Sequence, residues 1–496
     1  MNNISKLRFI ISVSLILTIT VVVSLNSSVS KQLFLDLQAF LSKYLGWMII
    51  VLANGFLIFS IFLVFTKYKD IRLGGPNATP TYSYPNWIAM LFSAGLGIGL
   101  LFYGVAEPIM HLNSYPGMIE GDISHNAGKA IGLANLHWGL HGWAIYSSLG
   151  LCFAFATYNK NLPFRVSSLL GRKVANNKPL AITIDIIAII TTIFGVTTSL
   201  GLGTEQISAG ISHIFLFEET FFNKIIIIAV ITLIGLISVS LGLDSGIKKL
   251  SQINMVLAIL LLSFVFLFGP TVFIINALIQ NFGAYINTLL ESATWTEVYD
   301  SSSWQDGWTL FYYSWWFAWA PFVSLFIARI SYGRSIKEFI VGVLFVPSLI
   351  VFLWMGIFGN AAIYQVINET SQIAQIVNDN FDVALFSLFE VYPLTKIISI
   401  ISLILIVTFF VTSSDSGALV ASMLSSKNQS NINDDSPMIS RATWAILLGI
   451  LAGVLLYAGG LQALQTSVVI TGVPFAIIVV FACRKFYKSL EKELNK

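Results

Sequence analysis

The sequence predicts an all-α polytopic membrane protein with about twelve transmembrane helices, and three observations carry that expectation. Of its 496 residues, 56% are hydrophobic and only 10% charged, a balance that a large soluble protein does not show. Apolar runs recur along the whole length, each near or above the roughly 20 residues that a hydrocarbon core demands. The basic residues then alternate between loops, as orientation in a membrane requires.

The runs fall at residues 8–27, 46–66, 88–111, 129–157, 181–203, 224–243, 252–278, 308–331, 338–358, 396–424, 440–459 and 461–483. With the N-terminus placed in the cytoplasm, all but five of the 27 Lys and Arg residues fall on the cytoplasmic side; the exceptions are Lys31, Lys43, Lys129, Lys224 and Lys396. An even number of spans in the plasma (inner) membrane, with both termini cytoplasmic, fits this alternation. The net charge of +3 gives no nucleic-acid signal, because the basic residues already serve as topology markers. The first run lacks a convincing small-residue cleavage site and is kept as a span rather than a signal peptide. Cys152 and Cys483 both sit in apolar runs and support neither a disulfide nor a metal site.

Spans one and two carry no chemistry, and residues 67–87 form a basic, turn-rich connection. Span three contains MLFSAGLGIGLLFYGVAEPIM, with Gly95, Gly97 and Gly99 at alternate positions and Glu107 before Pro108. A single GxxxG pair reads as close helix packing. Three alternating glycines, each about 1 kcal/mol worse than alanine in a helix, point instead to freed backbone, which membranes tolerate where it lines a cavity. Span four contains LHWGLHGWAIY, whose Trp138, Trp143 and Tyr146 lie at about 0°, 140° and 80° around one helix. His137 and His141 are four apart as well, but no second pair exists to complete a haem or metal site, and interhelical hydrogen bonding is the plainer reading. Span five is rich in Thr, Ser and Gly, suited to helix contact and to oxygen ligation of a small cation. Its Asp185 and Glu205 lie near helix ends, where solvation accounts for them. Spans six and seven read as scaffold. The following ESATWTEVYDSSSWQDG is acidic, aromatic and external, either a solvated loop or a gatherer of cations.

Span eight organises the rest. In YYSWWFAWAPFVSLFIARISYGRSIKEF, Trp315, Trp316 and Trp319 lie deeper than the headgroup level where Trp usually sits, a place that Trp304 and Trp308 fill. Ring faces clustered at mid-membrane depth hold a permanently charged ammonium without needing a carboxylate. The connection 360–395 is long, and its FDVALFSLFEVY predicts an amphipathic external helix. In span ten, Thr412, Ser413, Ser414, Asp415 and Ser416 interrupt an apolar run. Back-bonding of hydroxyls to the helix is the plain explanation; a sodium ion's demand for about five or six hard oxygen ligands is the other. Spans three and eight, interrupted at their glycines and at Trp319-Ala320-Pro321, are five spans apart. Two repeats, 88–278 and 308–483, then insert with opposite orientation around a midplane site. Residues 1–87 add two helices and a loop before them, 279–307 an external segment between them, and 484–496 a short cytoplasmic tail.

The segments AGLGIG, HWGLHGWAIY, WWFAWAPFVSLFIARISYGRSIKEF and FFVTSSDSG, in this order and spacing, resemble the signature segments of the betaine/choline/carnitine transporter family, most of all its sodium-coupled glycine betaine carriers. The resemblance runs from about residue 46 to about residue 480. It implies a LeuT-type core in spans three to twelve, a homotrimer in the lipid bilayer, and import of a quaternary-ammonium solute by sodium symport with alternating access. Glycine betaine is the expected solute, with choline or a sulfonium such as dimethylsulfoniopropionate as alternatives. The implied aromatic box is Trp138, Trp143, Tyr146, Trp316 and Trp319, with Trp315 lining the pathway beside it. Gly95, Gly97 and Gly99 let the backbone approach the substrate and offer N–H groups to its carboxylate. Sodium takes the side chains of Thr412 and Ser413 and the carbonyls of Phe409, Ser93 and Leu96.

No cofactor is expected beyond this coupling ion. A membrane enzyme is disfavoured because no nucleophile, base and orienting group converge, and a non-transporting sensor because it has no use for an ion site. Gly97 stands where proton-coupled choline carriers resemble GxDxG, and residues 179–223 contain no Lys or Arg, unlike the carnitine exchangers; both features favour sodium coupling. Departures from the pattern are Gly142 in place of proline, Tyr313 in place of tryptophan, and Val196 four residues after Thr192, which removes the second threonine of a further sodium site. The short mixed-charge tail does not support osmotic sensing by a long basic tail.

Overall fold

The computed structural model describes residues 5–95, 97–241, 248–299, 302–426 and 436–494; the side chains at 92–95, 239–241 and 248 lie outside the described set. The helices are α1 (Lys6–Leu25), α2 (Ser27–Phe65), α3 (Tyr84–Gly95), α4 (Ile98–Ser114), α5 (Ile123–Trp138), α6 (Leu140–Tyr158), α7 (Val166–Leu169), α8 (Arg172–Asn176), α9 (Lys178–Phe215), α10 (Phe221–Leu241), α11 (Lys248–Phe268), α12 (Thr271–Glu291), α13 (Trp304–Gly307), α14 (Thr309–Ile330), α15 (Ile336–Ile367), α16 (Ile373–Asp379), α17 (Ala384–Leu388), α18 (Thr395–Leu424) and α19 (Met438–Leu494). Among the described residues there is no β-strand, only an isolated antiparallel bridge between Arg72 and Ser335. The chain is an all-α polytopic membrane protein.

Ten helices among the described residues are individually long and apolar enough to cross a membrane. Spans three and four are not in that set; each is divided between two helices, α3 with α4 and α5 with α6. In span four the backbone leaves helical geometry at Gly139 (φ −91°, ψ −131°), so the continuous helix used to place its rings does not exist. α19 in turn holds two spans, divided at Gly459 (φ −170°, ψ 16°) and Gly460 (φ 59°, ψ −144°), where the sequence placed the boundary. Glycine supplies that left-handed φ at Gly460 without steric cost.

Several expectations need correction. α14 runs unbroken through Pro321, so the interruption expected at span eight is absent. Span seven ends at Phe268, not at residue 278. Pro270 has no N–H to continue the ladder and steers the residue before it away from helix, and a separate α12 begins at Thr271, burying Ile274, Asn281, Tyr285 and Thr288 on one stripe. α12 packs against α5 and α15. FDVALFSLFEVY is not one amphipathic helix but two 3-10 turns, Phe381–Val383 and Phe389–Val391, flanking α17, with Phe386, Leu388 and Phe389 buried. Asp185 and Glu205 are not explained by solvation. Asp185 is buried and takes the Arg8 guanidinium at 2.8 Å and both the amide and hydroxyl of Ser167, while Glu205 pairs with Lys224.

α14 is the axis of the core. Nearly every side chain from Thr309 to Ile330 is buried, and the helix packs against α2, α6, α9 and α19. Its lower end is fixed by the segment SYGRSIKE. Ser335 and Glu338 form a reciprocal capping box that starts α15. Gly333 (φ +80°) lies against the Thr79–Pro80 backbone, where a Cβ would come within 2.3 Å of Thr79. Across this junction Leu73 donates its N–H to the Arg334 carbonyl and accepts the Gly333 N–H, and the Arg334 guanidinium sits over the rings of Tyr84 and Trp87. The basic loop before α3 is thereby tied to the α14–α15 turn.

Candidate functional site

The breaks in spans three and four lie side by side against α14. Gly97 has extended backbone (φ −163°, ψ 175°) and caps α4, whose first turn is clamped from outside by Trp354 Nε1 on the Leu100 carbonyl and by Gln206 on the Leu101 carbonyl. The first N–H groups of a helix have no partner within it and carry partial positive charge. Ile98 and Gly99 of this first turn line the cavity that the rings enclose, while the Leu100 N–H meets the Gly97 carbonyl at 3.2 Å.

One cavity of about 50 Å³ is lined by Gly97, Gly99, Trp138, Trp143, Tyr146, Trp315, Trp316 and Trp319, with Ile98, Leu100, Ser199, Val323 and Val351 completing it. The rings meet edge to face. Trp138 stands at 78° to Trp315 and 87° to Trp316, with centroids 5.9 and 5.4 Å apart. Tyr146 is perpendicular to both Trp143 and Trp316 at about 5.5 Å. Each indole on α14 is aimed by a hydrogen bond from its nitrogen. Trp316 donates to the His137 carbonyl at 2.7 Å, and Trp319 and Trp315 both donate to the Gly195 carbonyl, at 2.8 and 3.3 Å. Among the described residues, Trp143 Nε1 and Tyr146 OH are buried without a hydrogen-bond partner. A larger depression between α11, α12 and α15 is lined by apolar side chains and Ser263 and involves none of these rings.

The glycines make this convergence possible. A Cβ on Gly99 would lie 2.3 Å from Trp138 Cη2, and one on Gly142 would lie 2.7 Å from Trp316 Cε2. Gly142, the departure from the family's proline, is where Trp316 rests. Gly97 faces open space, and Gly95 ends α3.

The expected ion ligands sit apart from this cavity. Thr412 and Phe409 lie on α18, where the Thr412 hydroxyl meets the Phe409 and Thr408 carbonyls at 3.0 and 3.1 Å and takes the Asn254 amide at 3.2 Å. Ser413 is half-buried beside it. Leu96 lies outside the described residues, as does the side chain of Ser93, so their approach to α18 is not described. One turn on, Asp415 is fully buried, and neither of its oxygens makes a well-formed hydrogen bond among the described residues. Asp415 turns to Gly235 and Ser238 of α10, whereas Thr412 turns to Asn254 of α11; the Thr412 and Ser413 hydroxyls with the Phe409 carbonyl are hard oxygens of the kind a small cation takes.

Sequence reasoning missed three contributors. Gly195 brings α9 so close that a Cβ would touch the Ala318 backbone at 3.0 Å, and it aims two indoles. Ser199 lines the cavity one turn on. Glu107 is the third: Oε1 takes His111 Nε2 at 3.0 Å and His137 Nδ1 at 2.7 Å, and Oε2 takes Trp138 Nε1 at 2.7 Å and Tyr312 OH at 2.6 Å. Glu107, His111 and His137 have ligand atoms within 4.8 Å of one another. Both carboxylate oxygens are nevertheless saturated, and His137 Nε2 meets the Thr309 hydroxyl at 3.0 Å, so the cluster is a hydrogen-bond hub. The signal was available: an ionisable residue inside an apolar span, with a histidine one turn on, marks function by default.

Residues 8–495 match the family model described as betaine/carnitine/choline family transporter. The chain is 38% identical to a glycine betaine transporter of Acinetobacter baylyi over all of its own length and 74% of that protein. It is 39% identical to the glycine betaine transporter OpuD of Bacillus subtilis, covering 92% of this chain and 88% of the relative. Identity is also 39% to a glycine betaine/proline/choline transporter of Vibrio parahaemolyticus, over 93% and 85% of the two chains.

Proposed function

The chain belongs to the betaine/carnitine/choline family of transporters, and on that premise we propose that it imports glycine betaine by sodium symport. The observation that carries the reading is the convergence of six aromatic rings and the N-terminus of α4 on one cavity. A zwitterion with a quaternary ammonium at one end and a carboxylate at the other matches both. Several ring faces around a desolvated ammonium contribute on the order of 1 to 2 kcal/mol each. The helix N-terminus and the orphan donors of Trp143 and Tyr146 receive the carboxylate. Choline satisfies the rings but brings no carboxylate to the helix; dimethylsulfoniopropionate has one and is the nearer alternative.

An alternating-access carrier has to open and close around such a solute. Opening and closing around it is the business of two five-span repeats of opposite orientation, the first opening with α3–α4 and the second with α14. Sodium binds at Thr412 and Ser413 with the carbonyls of Phe409, Ser93 and Leu96; the hydroxyls of Thr412 and Ser413 on α18, the former close to the Phe409 carbonyl, support this reading. One charge crossing 100 mV supplies about 2.3 kcal/mol. Both termini lie in the cytoplasm, and the working unit is a homotrimer.

Uptake of labelled glycine betaine into proteoliposomes, with sodium or potassium outside and Trp316→Ala beside the wild type, tests this. Sodium-dependent accumulation that the variant loses is expected. Accumulation indifferent to sodium would remove the symport, and transport unaffected by the variant would remove the aromatic site.

A further inference from the structure

Glu107 is a buried carboxylate one indole away from the cavity. It sits on α4 and receives hydrogen bonds from α4 itself (His111), from α5 (His137 and Trp138) and from α14 (Tyr312), each between 2.6 and 3.0 Å. All four contacts are made as donations to a carboxylate. His137 Nε2 meets the Thr309 hydroxyl and, among the described residues, His111 Nδ1 has no partner; one proton on each imidazole, with the Thr309 hydroxyl donating to Nε2, satisfies every contact. Two neutral imidazoles, an indole and a phenol leave the hub with one net negative charge, wholly buried.

Trp138 points its nitrogen into this charge and its ring into the cavity. We propose that Glu107 is a charge-bearing positioning residue of the onium site, fixing the Trp138 indole and making its ring face more attractive to a cation. The physical basis is that cation–π attraction is electrostatic. A carboxylate on the indole N–H pushes electron density toward the ring, and its field persists in a low-dielectric interior. A bare carboxylate in the cavity would instead hold the ammonium as an ion pair and repel the solute's own carboxylate. Placing the charge behind the ring attracts one end and spares the other. The inference rests on the aromatic cavity being the onium site.

Glu107→Gln separates charge from shape. The carbonyl of glutamine still accepts from Trp138 and Tyr312, and its amide meets two imidazoles that accept by changing tautomer. Tryptophan fluorescence of the purified protein is titrated with glycine betaine and with 3,3-dimethylbutanoate, which has carbon in place of the cationic nitrogen. Glycine betaine is expected to bind about fivefold more weakly to the variant while the carbon analogue changes less than about twofold. Equal losses for both ligands would reduce Glu107 to a packing role and overturn the proposal, as would no loss for either. Failure of the wild type to bind glycine betaine would overturn the cavity reading itself, and this proposal with it. If Glu107→Gln does not fold, Tyr312→Phe removes one competing donor and leaves the charge to Trp138. Betaine is then expected to bind about twofold tighter with the analogue unchanged, and parallel or opposite shifts would overturn the proposal.

Discussion

Gly99→Ala puts one methyl where Trp138 and the first turn of α4 touch. The added carbon would stand 2.3 Å from Trp138 Cη2, 2.9 Å from Cζ3 and 3.2 Å from Trp315 Cη2. Carbon atoms rest at about 3.5 to 4.0 Å, so the Trp138 ring must retreat by more than about 1 Å. It has nowhere free to go. Its nitrogen is held by Glu107 at 2.7 Å, and Tyr312 and Trp316 stand against it with centroids 5.2 and 5.4 Å away. Forcing a methyl into such packing costs roughly 1 to 3 kcal/mol, and stretching a hydrogen bond to a charged acceptor adds about 1.5 kcal/mol or more. If half of this falls on the ligand-competent arrangement, affinity for glycine betaine drops about tenfold or more. Gly97→Ala is the contrast. Its backbone is extended and nothing lies within 4 Å of the added carbon, so Trp138 stays where it is; the methyl takes only cavity space, and a loss smaller than that of Gly99→Ala is expected. Fluorescence titration of both purified variants, with size-exclusion profiles to check folding, gives the comparison. Wild-type affinity in Gly99→Ala, or an equal loss in Gly97→Ala, would refute the reasoning.

Thr412→Ala is expected to raise the sodium concentration for half-maximal uptake more than about tenfold, since it removes one of few hard oxygen ligands; an unchanged sodium response would place the ion elsewhere. Asp382, in the 3-10 turn Phe381–Val383 outside the spans, has its carboxyl pushed up to about 7, mainly by burial, with the charge of Glu205 adding and Lys224 opposing. Its folded-state affinity for a proton thus exceeds that of the unfolded chain. Its contribution to stability is full at acid pH and is lost as pH rises toward 7, levelling off above. The melting temperature in detergent should fall between about pH 4 and pH 7 for this reason, and Asp382→Asn should flatten the slope; a slope unchanged in the variant would assign it to other groups.

What could be read from the sequence was local. Long apolar runs gave the spans, and the spacing of Trp315, Trp316 and Trp319, with Trp138, Trp143 and Tyr146 in span four, named every ring of the cavity. The alternating glycines announced the break between α3 and α4. What escaped depended on partners distant in the chain. Pro321 suggested a break, yet α14 continues through it, packed on four helices that outweigh one missing hydrogen bond. Gly139 looked like one glycine among several in its motif. Only the approach of the Tyr285 hydroxyl, which accepts the Leu140 N–H at 3.3 Å, shows what steadies the exposed backbone there. Glu107 gathers donors from as far away as Tyr312, 205 positions along the chain, and no window on the sequence holds both. The end of span seven was misplaced because α12 continues the apolar run, itself long and apolar enough to cross a membrane, with only Gly269 and Pro270 between them.

The most direct measurement is structure determination of the protein with arsenobetaine, the arsenic analogue of glycine betaine, in sodium. The heavy atom marks the quaternary centre by its anomalous signal. It is expected within about 6 Å of the ring centroids of Trp138, Trp316 and Trp319, with the carboxylate toward the N-terminus of α4. An arsenic site away from these rings, in the apolar depression between α11, α12 and α15 or elsewhere, would contradict the assignment of the aromatic cavity as the onium site.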